Sequence, residues 1–182
     1  KDLMDCIIGT ELENFYLCPC SPELAGVEAE LYPAERREKR LVEAVEKARR
    51  YFNFIIIDCP PSLGFLTINA LAAADSLVIP VQTEFFCMEG IPDLFQTLET
   101  VRTYFNPGLA IEGLLLPMYD ERTKQVAEEI RKSLKHIMFE AVIPRNIRLA
   151  EAPSFGQPIV LYDIKSKGAE AYLNLAEEII RR

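Results

Sequence analysis

A single carboxylate, Asp58, stands where a buried strand would deliver it. Four apolar residues, Phe54 to Ile57, precede it, and the segment Cys-Pro-Pro-Ser-Leu-Gly64 follows it. Open α/β sheets bind their ligands at the carboxyl ends of the strands. An acid at that place can orient Mg²⁺, directly or through water, beside a bound phosphate. The pattern is also typical of an Asp that caps a helix after any core strand, so the residues leave both interpretations open.

The loop after Asp58 is short and stiff. Pro60 and Pro61 restrict its backbone, while Ser62 and Gly64 suit a turn into the next helix. In phosphate-handling proteins, a loop at this place senses the terminal phosphate of the nucleotide. If Asp58 serves Mg²⁺, the sequence predicts a switch loop from Pro60 to Gly64.

The elements that must position these residues are predicted by short apolar runs alternating with stretches of helical period. The predicted strands are Phe15 to Cys18, Phe54 to Ile57, Leu77 to Val81, Gly113 to Leu116, Phe139 to Ile143 and Ile159 to Tyr162. The runs FIII and LLL do not alternate with polar residues, so we expect those strands to be buried on both faces. The pattern predicts an α/β fold with a mostly parallel sheet and helices on both faces.

Apolar spacing also predicts the helices. One face is formed by Ile91, Leu94, Phe95, Leu98 and Val101, and a final helix by Tyr172, Leu175, Ala176 and Ile179. Ser166 can cap that final helix. The Ser21-Pro22 pair is a good helix start, and Pro33 should divide the segment from Ser21 to Arg50 into two helices.

Length and composition favour a single domain that spans residues 1–182, because a chain of this length with 49% hydrophobic content can bury a substantial core. No apolar stretch approaches the roughly 20 residues of a membrane-spanning helix, and KDLMDC is unlike a secretory signal. We therefore expect a cytoplasmic protein.

The cysteines are odd in number and irregularly spaced, which favours reduced thiols packed as small apolar groups. They are Cys6, Cys18, Cys20, Cys59 and Cys87.

Charge is distributed unevenly along the chain. The net charge is −8, yet residues 122–182 hold 11 Lys and Arg against 8 Asp and Glu, a net of +3. The remaining 9 basic and 20 acidic residues give −11 for residues 1–121. This asymmetry permits a basic face in the carboxy-terminal part, although charged residues often only solvate a surface.

The Asp58 segment resembles the Walker B and switch segment of the ParA/Soj/MinD group of P-loop ATPases, and further segments follow in family order over nearly all of residues 22–182. These are Leu66-Thr-Ile-Asn-Ala-Leu-Ala-Ala-Ala-Asp75, Val78-Ile-Pro-Val-Gln-Thr-Glu84, Met88-Glu-Gly90, Met118-Tyr-Asp-Glu-Arg-Thr123, Ile143-Pro-Arg-Asn-Ile-Arg148, Glu151-Ala-Pro-Ser-Phe-Gly-Gln-Pro158 and Tyr162-Asp-Ile-Lys-Ser-Lys-Gly-Ala-Glu-Ala-Tyr172. The sequence is identified as similar to ParA/Soj-type chromosome or plasmid partitioning ATPases.

This resemblance implies ATP and Mg²⁺ as cofactors. Asp58 would be the catalytic acid that holds Mg²⁺ through water, and the loop from Pro60 to Gly64 would report whether ATP or ADP is bound. The adenine pocket would be lined by Pro144, Arg145 and Asn146. Pro-Arg-Asn is also typical of a helix start after a strand, and both interpretations can hold at once.

The resemblance further implies DNA contact. Arg122 and Arg148 match positions at which chromosomal members bind DNA without regard to sequence, as ATP-bound homodimers. Arginine suits this role because its planar fork stays charged and can bond phosphate bidentately. Lys165 and Lys167 would extend the patch, although a single surface Lys is often only solvated. The implied partners are DNA and a ParB-type centromere-binding protein that stimulates hydrolysis, and the implied location is the nucleoid.

The family's phosphate loop has no counterpart in these residues. The eight glycines form no Gly-x-x-x-x-Gly-Lys-Thr pattern, and Lys1 is not an initiator Met. We therefore expect the carboxy-terminal part of a ParA-type ATPase domain, without its first strand and phosphate loop. This part alone should be inactive, because backbone amides of that loop would supply most of the phosphate binding.

Two alternatives remain open. One is a MinD-like, membrane-associated cell-division ATPase, although the chain ends in a predicted domain helix rather than in a helix that inserts into lipid. The other is a degenerate module that binds partners without hydrolysing ATP.

Overall fold

The computed structural model describes residues 2–83 and 90–182, so Cys87 and the motif residues Glu84, Met88 and Glu89 lie outside the described residues. Internal contacts divide the chain into two compact units. The first unit comprises Lys1–Asp75 and Gln96–Leu109, and the second comprises Ser76–Phe95 and Ala110–Arg182. The interpretation of residues 1–182 as one domain stays a prediction. In the described ranges, no helix has both the length and the apolar character needed to cross a membrane.

The first unit is mainly helical. Strands β1 (Ile8–Gly9) and β2 (Tyr16–Leu17) pair antiparallel in a short exposed hairpin. The helices are α1 (Val27–Leu31), α2 (Arg40–Ala48), α3 (Phe65–Ala73) and the last part of α4 (Gly90–Tyr104), with 3₁₀ turns at Leu3–Cys6, Pro22–Gly26 and Arg37–Lys39.

Helix α3 is the most deeply buried helix of this unit, with six of its nine residues buried. Within it, Asn69 Oδ1 accepts the backbone N–H of Leu41 at the start of α2, at 3.2 Å. The last carbonyls of a helix lack partners inside the helix. Here Asn106 Nδ2 donates to the carbonyls of Leu71 at 3.0 Å and Ala74 at 2.7 Å. Side chains from outside the helix therefore complete its hydrogen bonds.

The second unit contains a parallel three-stranded sheet in the order β3, β4, β5. The strands are β3 (Ser76–Pro80), β4 (Ala110–Tyr119) and β5 (Met138–Pro144). The helices are α5 (Lys124–Leu134), α6 (Ile147–Glu151), α7 (Ile159–Tyr162) and α8 (Lys167–Arg181), with 3₁₀ turns at Glu121–Thr123, Lys135–Ile137 and Ala152–Phe155. A parallel sheet flanked by helices confirms the predicted α/β class.

The core of the second unit lies between the sheet and α8. Leu115, Phe139, Ile143 and Leu175 form one buried cluster. Gly113 is required by this packing, because a Cβ atom there would lie 2.6 Å from the Phe139 ring. The strand β4 is buried at four consecutive residues in its centre, as expected for a strand of a parallel sheet that is covered on both faces.

The outer edge of β5 is covered by the end of α8. The Glu178 carboxylate accepts the N–H of Glu140 at 3.0 Å and of Ala141 at 3.1 Å. Arg182 donates to Glu178 at 2.7 Å and to the Met138 carbonyl at 3.1 Å. Burial raises the pKa of Glu178, but these donors outweigh it and hold the pKa below its ordinary value. The carboxylate thus satisfies amides that an uncovered strand edge would leave unpaired.

Three predicted strands are confirmed, since Leu77 to Val81, Gly113 to Leu116 and Phe139 to Ile143 coincide with β3, β4 and β5. The predicted strand Phe15 to Cys18 is reduced to the two residues of β2, outside the parallel sheet.

The strand prediction for Phe54 to Ile57 is wrong in this structure. The segment has no regular structure, and Phe54 is 63% exposed and Ile56 91% exposed. A strand needs a neighbour to form a ladder. Among the described residues of the first unit, the strands are β1 and β2, which pair with each other.

The strand prediction for Ile159 to Tyr162 is also wrong, because these residues form the single helical turn α7. The turn begins after Pro158, whose carbonyl accepts the N–H groups of Leu161 and Tyr162 at 3.0 Å each. Four apolar residues are too few to show a helical or a strand period, so the run alone could not separate the two states.

The helix predictions are confirmed. Helix α4 buries Leu98 and Val101, and Ser166 Oγ accepts the N–H of Ala169 at 3.1 Å to cap α8. The chain leaves helical structure between α1 and the 3₁₀ turn at Arg37–Lys39, around Pro33 as predicted.

The burial expected for the cysteines is wrong for the exposed Cys18, Cys20 and Cys59, whose segments lie outside the parallel sheet, and Cys6 is half-buried. These four thiols are free.

Candidate functional site

Asp58 is exposed and follows the apolar run Phe54 to Ile57 in the first unit. Within the described residues of this unit, its carboxylate has no hydrogen bond or ion pair. No group of three or more His, Cys, Asp or Glu in the described ranges is arranged to hold a metal ion. An available single carboxylate fits Mg²⁺ of the nucleotide-bound kind, whose other ligands are water and phosphate oxygens.

The predicted switch loop is anchored at its carboxyl end. Thr67, a buried residue of α3, donates from Oγ1 to the Ser62 carbonyl at 2.6 Å. The N–H of Ile68 donates to the Gly64 carbonyl at 3.0 Å, which begins the helix. Pro60 and Pro61 are exposed. The loop therefore joins a fixed, buried helix on one side and the candidate metal ligand on the other.

The segment predicted to line an adenine pocket lies at the carboxyl end of β5. Pro144 ends the strand, and the N–H of Arg145 donates to the Tyr119 carbonyl at the end of β4, at 2.9 Å. Asn146 Oδ1 accepts the N–H of Arg148 at 2.8 Å and caps α6. The helix start is thereby confirmed, whereas the contact with adenine stays a prediction. Asp58 and this segment belong to different units, and each is described within its own.

Arg122 is held by a carboxylate two residues earlier. Its Nε lies 3.1 Å from both carboxylate oxygens of Asp120, and its Nη2 lies 2.6 Å from Oδ2. The side chain of Arg122 is nevertheless 85% exposed, against 23% for Asp120. Hydrogen bonds from the side chain and the N–H of Arg122, with a smaller contribution from nearby Arg145, lower the pKa of Asp120 to about 2. Asp120 is thus ionised near neutral pH.

A second acid, Asp163, contacts the side chain of Arg148 and the backbone of Lys165. Arg148 Nε lies 3.4 Å from Asp163 Oδ2, and the N–H of Lys165 donates to Oδ1 at 3.2 Å. Arg148 Nη1 also donates to Glu151 at 3.0 Å, and Tyr162 donates to the same oxygen at 3.2 Å. The contacts with Glu151 and Asp163 fix the direction of Arg148.

Lys167 lines a cavity of about 580 Å³ between α5, α8 and β5. Lys124 and Arg131 line the same cavity, together with the acids Glu128 and Glu170. Three cations and two acids leave a small positive excess there. Lys167 therefore faces different residues from the acids that contact the side chain of Arg148.

Comparison with known proteins places the chain in a family. Residues 1–111 match the family described as an AAA domain. The chain is 51% identical over 181 residues to the sporulation initiation inhibitor protein Soj of Bacillus subtilis, a match that covers 98% of this chain and 72% of that protein. This chain belongs to the ParA/Soj family of partitioning ATPases. It is also 48% identical over 185 residues to the chromosome partitioning protein ParA of Myxococcus xanthus, covering 100% of this chain and 65% of that protein.

Solved structures place this ParA/Soj-family chain among P-loop ATPases. Cobyrinic acid a,c-diamide synthase from Mycobacterium smegmatis with bound ADP and magnesium is 31% identical, with a TM-score of 0.81 over 100% of this chain and 68% of that one. The cell division ATPase MinD of Pyrococcus furiosus is 28% identical, with a TM-score of 0.78, and the match covers 100% of this chain and 71% of that one. The predicted P-loop NTPase-like fold is confirmed, and nucleotide and magnesium binding occur among proteins of this fold.

The structure adds acidic partners that the sequence did not single out. Asp120 holds Arg122, while Asp163 and Glu151 hold Arg148. Two of these partners had a local signal, because Asp120 lies at a cap position before Arg122 and Glu151 lies three residues after Arg148 on α6. Asp163 lies 15 residues after Arg148 in the sequence, so spacing could not indicate it. In this ParA/Soj-family chain, each candidate DNA-binding arginine is thus oriented by a carboxylate.

Proposed function

We propose that this protein is an ATP-dependent partitioning switch: with ATP and Mg²⁺ bound it dimerises and binds DNA without sequence preference, and a ParB-type partner stimulates hydrolysis. The observation that carries the proposal is the 51% identity to Soj over 98% of this chain. The whole protein would act on the nucleoid in the cytoplasm, in chromosome or plasmid segregation.

Two segments of the chain are candidates for nucleotide contact, and each is considered within its own unit. Asp58, an exposed carboxylate without a partner among the described residues of its unit, would hold Mg²⁺ through water. The base or ribose would be contacted by Pro144, Arg145 and Asn146. Asn146 Nδ2 remains available to donate a hydrogen bond there, because only Oδ1 caps α6. When bound, Mg²⁺ offsets negative charge on the phosphates.

The switch loop would respond to the nucleotide at its free end. Its carboxyl end is tied to α3 through Thr67 and Ser62, so a change near Asp58 would move Pro60 and Pro61 rather than the helix. Segments that order on nucleotide binding and relax on hydrolysis are a common basis of such switches.

The DNA surface would be built on the second unit. Arg122 and Arg148 have side chains that are 85% and 54% exposed, and acidic neighbours hold both in place. Lys165 and Lys167 are exposed near the start of α8. Residues 122–182 carry a net charge of +3, from 11 basic and 8 acidic residues, so this part of an acidic chain can approach phosphates.

Hydrolysis requires a phosphate-binding loop. The 182 residues contain no Gly-x-x-x-x-Gly-Lys-Thr sequence. Backbone amides and the lysine of such a loop stabilise the charge of the transferring phosphoryl group. We therefore expect residues 1–182 by themselves to be inactive as an ATPase, and a measurable rate in steady-state phosphate release would contradict this.

The DNA assignment is tested with the full-length protein expressed from its complete gene. Fluorescence anisotropy with two unrelated short duplexes should show equal binding of both in ATP and weak binding in ADP. Arg122→Glu and Arg148→Glu should each weaken binding at least about tenfold, because each reverses a charge at a phosphate contact. Arg181→Glu is the matched control, since Arg181 is 77% exposed and also paired with an acid, Glu177. Unchanged binding by both test variants would remove the DNA assignment.

A further inference from the structure

We propose that Asp120 is the positioning residue that orients Arg122 toward a DNA phosphate. The inference rests on the proposed function, because it takes a DNA phosphate as the ligand of Arg122. It assigns a role in phosphate binding to one acid of that surface.

Asp120 contacts Arg122 in two independent ways. Its Oδ1 accepts the backbone N–H of Arg122 at 3.0 Å, which caps the turn Glu121–Thr123. Its carboxylate also receives the guanidinium, with Nη2 at 2.6 Å from Oδ2 and Nε at 3.1 Å from both oxygens. The backbone and the side chain of the same arginine are therefore both held by one acid.

This pairing leaves the outer edge of the guanidinium available. Arginine has five N–H donors in a rigid plane. Asp120 engages the Nε side, whereas Nη1 has no hydrogen bond within the described residues of the second unit. The side chain is 85% exposed, and the edge formed by Nη1 and Nη2 keeps donors that Asp120 does not use. That edge has the spacing that binds two phosphate oxygens at once.

The turn that carries Asp120 is itself fixed. Thr123 Oγ1 donates to the Asp120 carbonyl at 2.8 Å. The same oxygen lies 2.6 Å from Thr83 Oγ1, and Thr83 is buried beyond the end of β3. The turn that carries Asp120 and Arg122 is therefore fixed by hydrogen bonds to the segment that follows β3. A flexible arginine loses rotamer freedom when it binds, and prior ordering lowers that cost.

The negative charge of Asp120 opposes phosphate binding, but the positive charges of Arg122 and Arg145 nearby offset it. Arg145 lies close enough to Asp120 to contribute, after Arg122, to the lowering of its pKa. Asp120, Arg122 and Arg145 together carry a net charge of +1. Attraction of phosphate thus remains while the orientation is gained.

The test is a double-mutant cycle on the full-length protein with ATP, using anisotropy of a fluorescent random-sequence duplex. Arg122→Ala should weaken binding about tenfold and lower the salt slope by about 0.9, the value for one lost phosphate contact. Asp120→Asn should weaken binding about threefold to tenfold in the parent protein. In the Arg122→Ala background, Asp120→Asn should change binding less than about twofold, because the group that it positions is gone.

Glu177→Gln is the matched control, because it also removes one negative charge from an acid that pairs with an exposed arginine, at 2.8 Å from Arg181. It should leave DNA binding unchanged or slightly stronger. If Asp120→Asn does not fold, Asp120→Ser replaces it, since Ser keeps an oxygen for the cap but cannot receive two guanidinium donors. The same non-additivity is expected.

The outcomes separate the two levels of the proposal. If Arg122→Ala weakens binding but Asp120→Asn leaves it unchanged or strengthens it, the positioning role is overturned and the DNA assignment stands. If Asp120→Asn weakens binding equally in the Arg122→Ala background, its role is structural and the inference is also overturned. If Arg122→Ala has no effect, the DNA contact of Arg122 and the inference both fail.

Discussion

Two apolar segments of similar composition have opposite environments in this protein. Gly113 to Leu116 lies in β4 of the second unit, between β3 and β5, and all four residues are buried. Phe54 to Ile57 in the first unit has no ladder partner among the described residues of that unit, and Ile56 is 91% exposed. Strand neighbours satisfy the backbone of β4, and packing on the faces of the sheet covers its side chains. Hydrophobic composition alone accomplishes neither.

The largest expected effect is at the centre of β4. Leu116→Ala should lower the free energy of unfolding by about 2–5 kcal/mol, because it removes a side chain that is 1% exposed and leaves a cavity. Ile56→Ala, the matched truncation in the exposed segment, should change it by no more than about 0.5 kcal/mol. Urea unfolding followed by circular dichroism measures both. Equal losses at the two positions would show that Ile56 is buried in solution and would remove the contrast.

A second prediction concerns close packing in the same strand. Gly113→Ala should lower the free energy of unfolding by about 1–3 kcal/mol, because its new Cβ would lie 2.6 Å from the Phe139 ring. The control is Gly9→Ala in β1 of the first unit, where none of the described residues comes within 4 Å of the added atom. The same urea titration compares the variants. If Gly113→Ala is as stable as the parent, the sheet is packed more loosely than the structure indicates.

A third prediction, with the smallest expected effect, concerns the hydrogen bonds that complete α3 in the first unit. Asn106→Ala should lower the free energy of unfolding by about 1–2 kcal/mol, since its Nδ2 completes two carbonyls at the end of α3. Asn53→Ala, at an exposed position of the same unit, is the control. Amide hydrogen exchange should show faster exchange in α3 and unchanged exchange in β4. Faster exchange in β4 as well would mean that the two units lose their structure together.

Much of the fold could be predicted from local patterns. The strands β3, β4 and β5 follow apolar runs, and the caps supplied by Ser166 and Asn146 depend on residues only two or three positions apart. The predictions for Phe54 to Ile57 and for Ile159 to Tyr162 failed for a different reason. The first has no strand partner among the residues of its unit that the structure describes, and the second is too short to show a period.

The candidate site was predictable to a similar degree. Motif resemblance indicated Asp58, Arg122 and Arg148, and both arginines are exposed in the structure. Their acidic partners were not predicted. The bond between Arg122 and Asp120 depends on the shape of one turn, and the pair of Arg148 with Asp163 depends on how α6 and the end of α7 approach each other. The Mg²⁺ role of Asp58 and the adenine contact of Pro144 to Asn146 stay predictions.

The sequence by itself determined the family, the apolar faces of the helices and the positions of the helix caps, because each depends on residue identity or on neighbours within one helical turn. Tertiary structure alone decided which apolar runs became strands and that Asp163 contacts Arg148. The physical reason is that ladders and such distant ion pairs join groups whose separation depends on the path of the chain between them. Gly113 illustrates both contributions. The sequence shows that this residue is glycine, but only the structure shows that a side chain here would collide with the Phe139 ring on the neighbouring strand β5.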